Sequence, residues 1–173
     1  MSHVSSPPRL LSLRSPPPIC QVNFVPVGSL REVLIYPTTV HDWETSGGTD
    51  AELLEVMTLA HLDGFKCNNV HPTLDETQDW DTALSPGQKQ RMAFARLFHH
   101  RPKFAVLDEC TNGISPAVEK DLFEQCSRMG MGVFSISHKE GLKAFHDFEL
   151  HLNFPNDTSY EWIDLKNKTG LWS

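Results

Sequence analysis

A chain of 173 residues, 39% apolar and 21% charged, is long enough for one domain, or a large part of one, with a sizeable core. Its net charge of -7 argues against a non-specific nucleic-acid binder, which needs a basic face, and the basic residues that occur gather between Lys89 and Lys103. Four widely spaced cysteines with no Cys-x-x-Cys pair read as free thiols of a reducing compartment, excluding a disulfide frame and a zinc site.

Residues 1–21 are rich in Ser and Pro and read as an unfolded lead or a sequence foreign to the domain, because proline runs neither donate ladder bonds nor continue helices. Order is expected from a short strand at Val22-Asn23-Phe24-Val25. The folded body is expected over residues 22–165 and a tail over 166–173. Ser29-Leu30-Arg31-Glu32 spells a capping box that starts a helix stopping before Pro37. Thr49-Asp50-Ala51-Glu52 spells another, leading a helix whose Leu53, Val56, Met57 and Ala60 share one face.

A polar loop is expected over residues 63–82, then a helix from Gly87 to His100 and a strand from Phe104 to Leu107, apolar enough to be buried on both faces. Ser115-Pro116 reads as the N-cap and first residue of the next helix. Its stripe is Val118, Leu122, Cys126 and Met129, and Gly130 stops it. A parallel strand follows from Gly132 to Ser137, which completes an α/β crossover pattern. Beyond it, Asp147–Leu152 and Tyr160–Leu165 alternate as a hairpin closed at Pro155-Asn156-Asp157. No apolar run approaches the ~18 residues of a membrane span. No signal peptide is visible, so the chain alone reads as soluble and intracellular.

Two segments carry chemistry. Ser85-Pro86-Gly87-Gln88 opens a basic helix, and a helix N-terminus presents unpaired N–H groups and partial positive charge to phosphate oxygens. Asp108 and Glu109 end an apolar strand, where open α/β sheets bind ligands. Asp108 suits Mg²⁺, directly or through water, and Glu109, expected to point the other way, suits a water-polarising role near a γ-phosphate. His138 follows the next strand, where an imidazole would reach a γ-phosphate. His99-His100 is too close in sequence for both rings to face one metal and reads as a helix end. The two Asn-x-Thr sequons at Asn156 and Asn167 read as irrelevant without a secretory route. No Gly-x-x-x-x-Gly-Lys-Ser/Thr phosphate loop occurs in the 173 residues.

These residues resemble the nucleotide-binding domain of ATP-binding-cassette (ABC) transporters. Leu84–Gln88 resembles the signature motif, Phe104–Glu109 the Walker B strand, Thr111–Ser115 the D-loop and His138 the switch histidine. More narrowly, Gln78-Asp79-Trp80, Arg96-Leu97-Phe98, His100-Arg101-Pro102-Lys103 and Leu107-Asp108-Glu109-Cys110-Thr111-Asn112 resemble subfamily D, the peroxisomal fatty-acid and fatty-acyl-CoA transporters. Gly28-Ser29-Leu30-Arg31 with Ile35-Tyr36-Pro37 matches the stretch after that subfamily's Q-loop. The resemblance implies a partial P-loop NTPase fold: a mostly parallel sheet, a helical signature subdomain and a C-terminal antiparallel hairpin.

ATP and Mg²⁺ are the implied ligands. The implied partners are a second ABC cassette and a transporter membrane domain, with no nucleic acid, on the cytosolic face of the peroxisomal membrane. Ser85, Gly87 and Gln88 would contact a nucleotide held by the partner cassette, with Ser115 in the D-loop beside them. Asp108, Glu109 and His138 would serve a nucleotide bound in cis. Three departures accompany the resemblance: Walker A is absent, Gln21 lies too early for the Q-loop glutamine, and Pro86 replaces a usual glycine, removing an N–H. The expectation is a truncated C-terminal portion of a cassette, with a trans-facing half-site and a crippled cis site. A regulatory partner for an intact cassette is the alternative, and a soluble cassette ATPase for DNA maintenance is a third reading disfavoured by the acidic balance. Without the Walker A strand, the sheet is expected to expose apolar surface and unpaired edges.

Overall fold

The computed structural model describes residues 19–21, 25–66, 71–152 and 159–166. The chain divides into two compact units, Pro17–Ser137 and a second that contains His138–Ser173.

The first unit opens with strand β1 (Ile19–Gln21), which stands within the stretch expected to be unfolded. Pro18 has no N–H to give, but Ile19 and Cys20 are free to join a ladder, and pairing with a central strand supplies what three residues lack alone. Most of the expected strand at 22–25 lies outside the described residues. Strand β2 (Gly28–Ser29) leads into helix α1 (Leu30–Ile35), and the Ser29 capping box forms as expected. Ser29 N–H donates to Glu32 Oε2 at 2.7 Å and Glu32 N–H to Ser29 Oγ at 3.2 Å. The bonds from Ser29 hold the Glu32 carboxyl below its ordinary range. All four apolar residues Leu30, Val33, Leu34 and Ile35 are buried, and the helix stops before Pro37.

Helix α2 (Val40–Thr45), capped by Thr39 and burying Trp43, is too short to show a period in the sequence. Helix α3 (Asp50–Leu59) buries Leu53, Val56 and Met57, with Ala60 at its C-cap. Its capping box is only half made. Thr49 Oγ1 accepts from Glu52 N–H at 3.4 Å, while the Glu52 carboxylate lies 3.9 Å from His99 Nδ1.

The expected polar loop contains strand β3 (Thr77–Gln78), antiparallel to β2, and the single-turn helix α4 (Trp80–Ala83). Trp80 is 1% exposed and its indole Nε1–H donates to the Gly28 carbonyl at 2.8 Å, so a long-range contact organises this stretch. Helix α5 (Pro86–His100) follows and buries Gln90, Met92, Ala93, Phe94, Ala95, Leu97 and Phe98. It ends at Arg101, in the left-handed region at φ 44°, ahead of Pro102.

Strand β4 (Phe104–Asp108), helix α6 (Pro116–Arg128) and strand β5 (Gly132–Ile136) make the expected crossover. Helix α6 buries Leu122 and Cys126, and Gly130 at φ 70° follows its end. The sheet is parallel, in the order β1-β4-β5. Register pairs Gln21 with Asp108 and Asp108 with Ile136, so β4 is central. The strand is not buried on both faces. Ala105 and Leu107 are buried, whereas Val106 is half-buried, and Phe134 opposite it and Ile136 opposite Asp108 are each 58% exposed. Among the described residues no helix covers that second face, and Asp108 belongs to it.

The second unit holds a 3-10 helix (Glu140–Phe145) and an antiparallel hairpin of β6 (Phe148–Leu152) and β7 (Tyr160–Asp164). The hairpin appears where alternation predicts it, and its Pro155-Asn156-Asp157 turn lies outside the described residues. Phe148, Leu150, Leu152, Tyr160 and Trp162 are exposed on one face, where Leu150 opposes Trp162 and Leu152 opposes Tyr160. No helix among the described residues is long and apolar enough to cross a membrane.

Candidate functional site

The first turn of α5 is a complete capping box. Ser85 N–H donates to Gln88 Oε1 at 2.8 Å, and Gln88 N–H donates to Ser85 Oγ at 3.3 Å. Pro86 occupies the first helical position, where its missing N–H would have been unpaired in any case. Capping uses the lone pairs of the Ser85 hydroxyl and the carbonyl of Gln88. The Ser85 O–H and the Gln88 carboxamide N–H groups remain as donors. The Gly87 N–H has no acceptor among the described residues. The Ser85 side is exposed. Three donors at a helix N-terminus form a ready anion contact.

Gly87 is required from inside as well as from outside. A β-carbon there would stand 2.5 Å from the Gly113 carbonyl oxygen. The loop after β4 therefore lies directly on the first turn of α5. Gln90, 6% exposed, closes this contact by accepting from Gly113 N–H at 2.8 Å. Arg91 fastens the same turn from another side, donating to the carbonyls of Gly87 (3.2 Å) and His61 (2.6 Å).

Asp108 ends β4 with an exposed carboxylate. Strand alternation does not carry on to Glu109, so the expectation that it simply points the opposite way is corrected. Glu109 sits in the left-handed region at φ 49°, with its N–H donating to the Ile136 carbonyl at 2.9 Å. That conformation costs a non-glycine residue about 1–2 kcal/mol and persists where neighbouring bonds enforce it. Its Oε2 accepts from Asn112 Nδ2 at 2.7 Å. Thr111 and Ile114 are buried on either side, which anchors the loop. Ser115 is the N-cap residue of α6 but makes no side-chain cap bond.

The structure thus gathers Ser85, Gly87 and Gln88 on one helical turn and sets the Asp108–Ser115 segment against that turn. His138 lies two residues beyond β5, exposed, in the second unit. At three places the sequence alone did not show the structural role. Gln21 ends β1 as the register partner of Asp108, so the glutamine judged too early stands at the C-terminal edge of the sheet beside the carboxylate strand. Gln90 was detectable as a polar residue on the apolar side of α5. Asn112-Gly113 was detectable as a turn pair directly after the carboxylates.

One hard carboxylate oxygen at Asp108 fits Mg²⁺, which takes one or two protein carboxylates and completes its shell with phosphate and water. No group of three or more metal-ligating side chains is assembled among the described residues. A complete cis cradle for a triphosphate does not fit, since no phosphate loop is present in the 173 residues. Cys110 and Cys126 are buried and stand in no disulfide among the described residues. Cys67 and the side chain of Cys20 lie outside the described residues.

The family model described as ABC transporter matches residues 29–112. The chain is 42% identical over 145 residues to "ABC transporter D family member 2" of Dictyostelium discoideum, covering 84% of this chain and 19% of that protein. It is 38% identical over 146 residues to human "ATP-binding cassette sub-family D member 3", covering 83% and 21%. Human "Lysosomal cobalamin transporter ABCD4" is 37% identical over 134 residues, covering 76% and 22%. The chain spans about a fifth of the length of these curated relatives. Among solved structures, a bacterial Atm1-family ABC exporter with ATP bound superposes with a TM-score of 0.60 at 21% identity, over 75% of this chain and 22% of that one.

Proposed function

The chain belongs to the ABC transporter family, with relatives in subfamily D, and from that premise we propose that it supplies the signature half of a shared ATP site. The single observation behind this reading is the first turn of α5, where Ser85 O–H, Gly87 N–H and the Gln88 carboxamide all have donors to spare. Those donors suit the γ-phosphate of a nucleotide held by a second cassette.

The same chain brings the Walker B carboxylates. Asp108 would hold Mg²⁺ through an oxygen or a water, Glu109 would orient a water and accept its proton, and His138 would donate to a phosphate oxygen. When bound, the metal would neutralise charge on the phosphates. The residues for this cis site lack a phosphate loop within the 173, so hydrolysis there needs residues from outside them. The domain organisation we propose is a cassette portion over residues 22–165, now extended to β1, between a Pro-rich lead and a short tail.

Coupled to a membrane domain, such a cassette would drive a transporter between two access states. The resemblance to the peroxisomal members makes fatty acids or fatty-acyl-CoA the proposed cargo class and the cytosolic face of the peroxisome the proposed location. Similarity to a lysosomal cobalamin transporter sets the competing location, which organelle fractionation distinguishes.

The experiment is ATP turnover by the isolated 173-residue chain with Mg²⁺. Negligible turnover is expected. Robust hydrolysis abolished by Glu109→Gln would overturn the claim that a phosphate loop must come from elsewhere. The second reading, an inactive regulatory partner of an intact cassette, draws on the same exposed turn of α5. It differs in requiring no turnover at Glu109 in any assembly.

A further inference from the structure

We infer that Asn112 and Gln90 are positioning residues that tie the Glu109 carboxylate to the first turns of α5 through Gly113. The inference rests on the proposed role of Glu109 and adds the device that aims it.

Glu109 has left the strand at φ 49°, so β4 geometry no longer dictates where its side chain goes. Its aim depends on what holds the carboxylate, and Asn112 Nδ2 donates to Oε2 at 2.7 Å. Asn112 is in turn held by its neighbour. Gly113 N–H donates to Gln90 Oε1 at 2.8 Å, and the Gly113 carbonyl fills the space that a Gly87 side chain would need. Gln90 is 6% exposed, so its bond to Gly113 is shielded from water and has little freedom to be replaced by one. Buried Thr111 and Ile114 leave the two intervening residues few alternative conformations.

The path from Ser85 to Glu109 is thus one helical turn, one buried hydrogen bond, one peptide and one charge-assisted hydrogen bond. A shift of the α5 N-terminus is transmitted to the carboxylate through Gly113. The bland alternative is a local Asn-Gly turn in which the bond from Asn112 to Glu109 is satisfied independently of α5. The two readings differ on one point: whether removing the Gln90 acceptor disturbs a side chain it does not touch.

The test is the side-chain amide spectrum of ¹⁵N-labelled full chain without nucleotide. Glu109→Gln identifies the Asn112 side-chain signal through the change at its acceptor. Gln90→Met, which keeps the volume and removes the acceptor, is expected to shift both the Gly113 backbone amide and the Asn112 side-chain amide. Gln90→Glu, which restores an acceptor of the same reach, is expected to return the Asn112 signal towards its original position. If Gln90→Met moves Gly113 and leaves the Asn112 side chain unmoved, the tether is overturned. If Gln90→Met fails to fold, Gly113→Ala, which crowds the same contact, must move the Asn112 signal or the inference fails. The spectra report the tether whether or not Glu109 serves hydrolysis, and the turnover experiment above reports the role of Glu109 alone.

Discussion

Gly87 and Gly113 meet backbone to backbone: a β-carbon on Gly87 would lie 2.5 Å from the Gly113 carbonyl, and one on Gly113 would lie 3.1 Å from the Gly87 nitrogen. The residue whose N–H lies open on the first turn of α5 is therefore also the residue that seats the loop carrying Asn112. Gly87→Ala is expected to destabilise the chain by roughly 1–3 kcal/mol, since the obstruction is backbone and cannot swing aside. A lowered urea midpoint with unchanged slope checks this.

Arg31 joins three elements of the first unit. Its guanidinium pairs with Asp50 at the start of α3 and with Asp75, at 2.9 Å and 3.0 Å, while lying 5.2 Å over the Trp43 ring of α2. The Asp50 bond raises the Arg31 pKa further above its ordinary value and holds the Asp50 carboxyl below its own. Lysine reaches neither carboxylate bidentately nor stacks as a plane. Arg31→Lys is therefore expected to cost about 1 kcal/mol, at the low end for charged hydrogen bonds because both carboxylates are exposed. Calorimetric melting of the two forms at matched salt measures it.

His99 gives the fold a pH dependence of defined sign. Burial and the neighbouring His100 and Arg101 push its pKa down, against the opposing pull of Glu52. Its Nδ1 is buried without a hydrogen-bond partner among the described residues. An imidazole with a lower pKa when folded binds fewer protons than in the unfolded chain, so its contribution is full above about pH 6.5 and declines as pH falls through the folded value. Urea midpoints between pH 8 and pH 5 are expected to fall for the wild-type chain and to fall less for His99→Gln. Below about pH 4 both forms lose stability together, as Glu32 and Asp50, whose pKa values are lowered, take up protons.

What the sequence revealed was local. The Ser29 capping box, the Leu53–Val56–Met57 face and the alternation of Phe148–Leu152 all depend on residues within a few positions of each other. What it concealed depended on distance. A three-residue strand at Ile19–Gln21 owes its order to β4, and Trp80 owes its burial to a carbonyl at Gly28. Glu52 abandons its own cap in favour of the neighbourhood of His99. The open face carrying Phe134 and Ile136 was hidden too, since the apolar run of β4 alone suggests burial on both sides. At the candidate site, Ser85, Gly87, Gln88, Asp108 and Glu109 were legible as motif residues. The Gln90–Gly113 and Asn112–Glu109 bonds that connect them were not, because side-chain identity does not encode which backbone a glutamine will reach.

The most direct measurement is association of the 173-residue chain with an intact subfamily D cassette whose own hydrolysis has been disabled. Binding is followed by light scattering with ATP and Mg²⁺, with ADP and without nucleotide. The expected result is pairing that needs ATP and weakens about tenfold or more on Ser85→Arg, which places a bulky side chain where the phosphate should sit. Pairing of equal strength in all three conditions, pairing indifferent to Ser85→Arg, or no pairing with ATP would contradict the signature half-site.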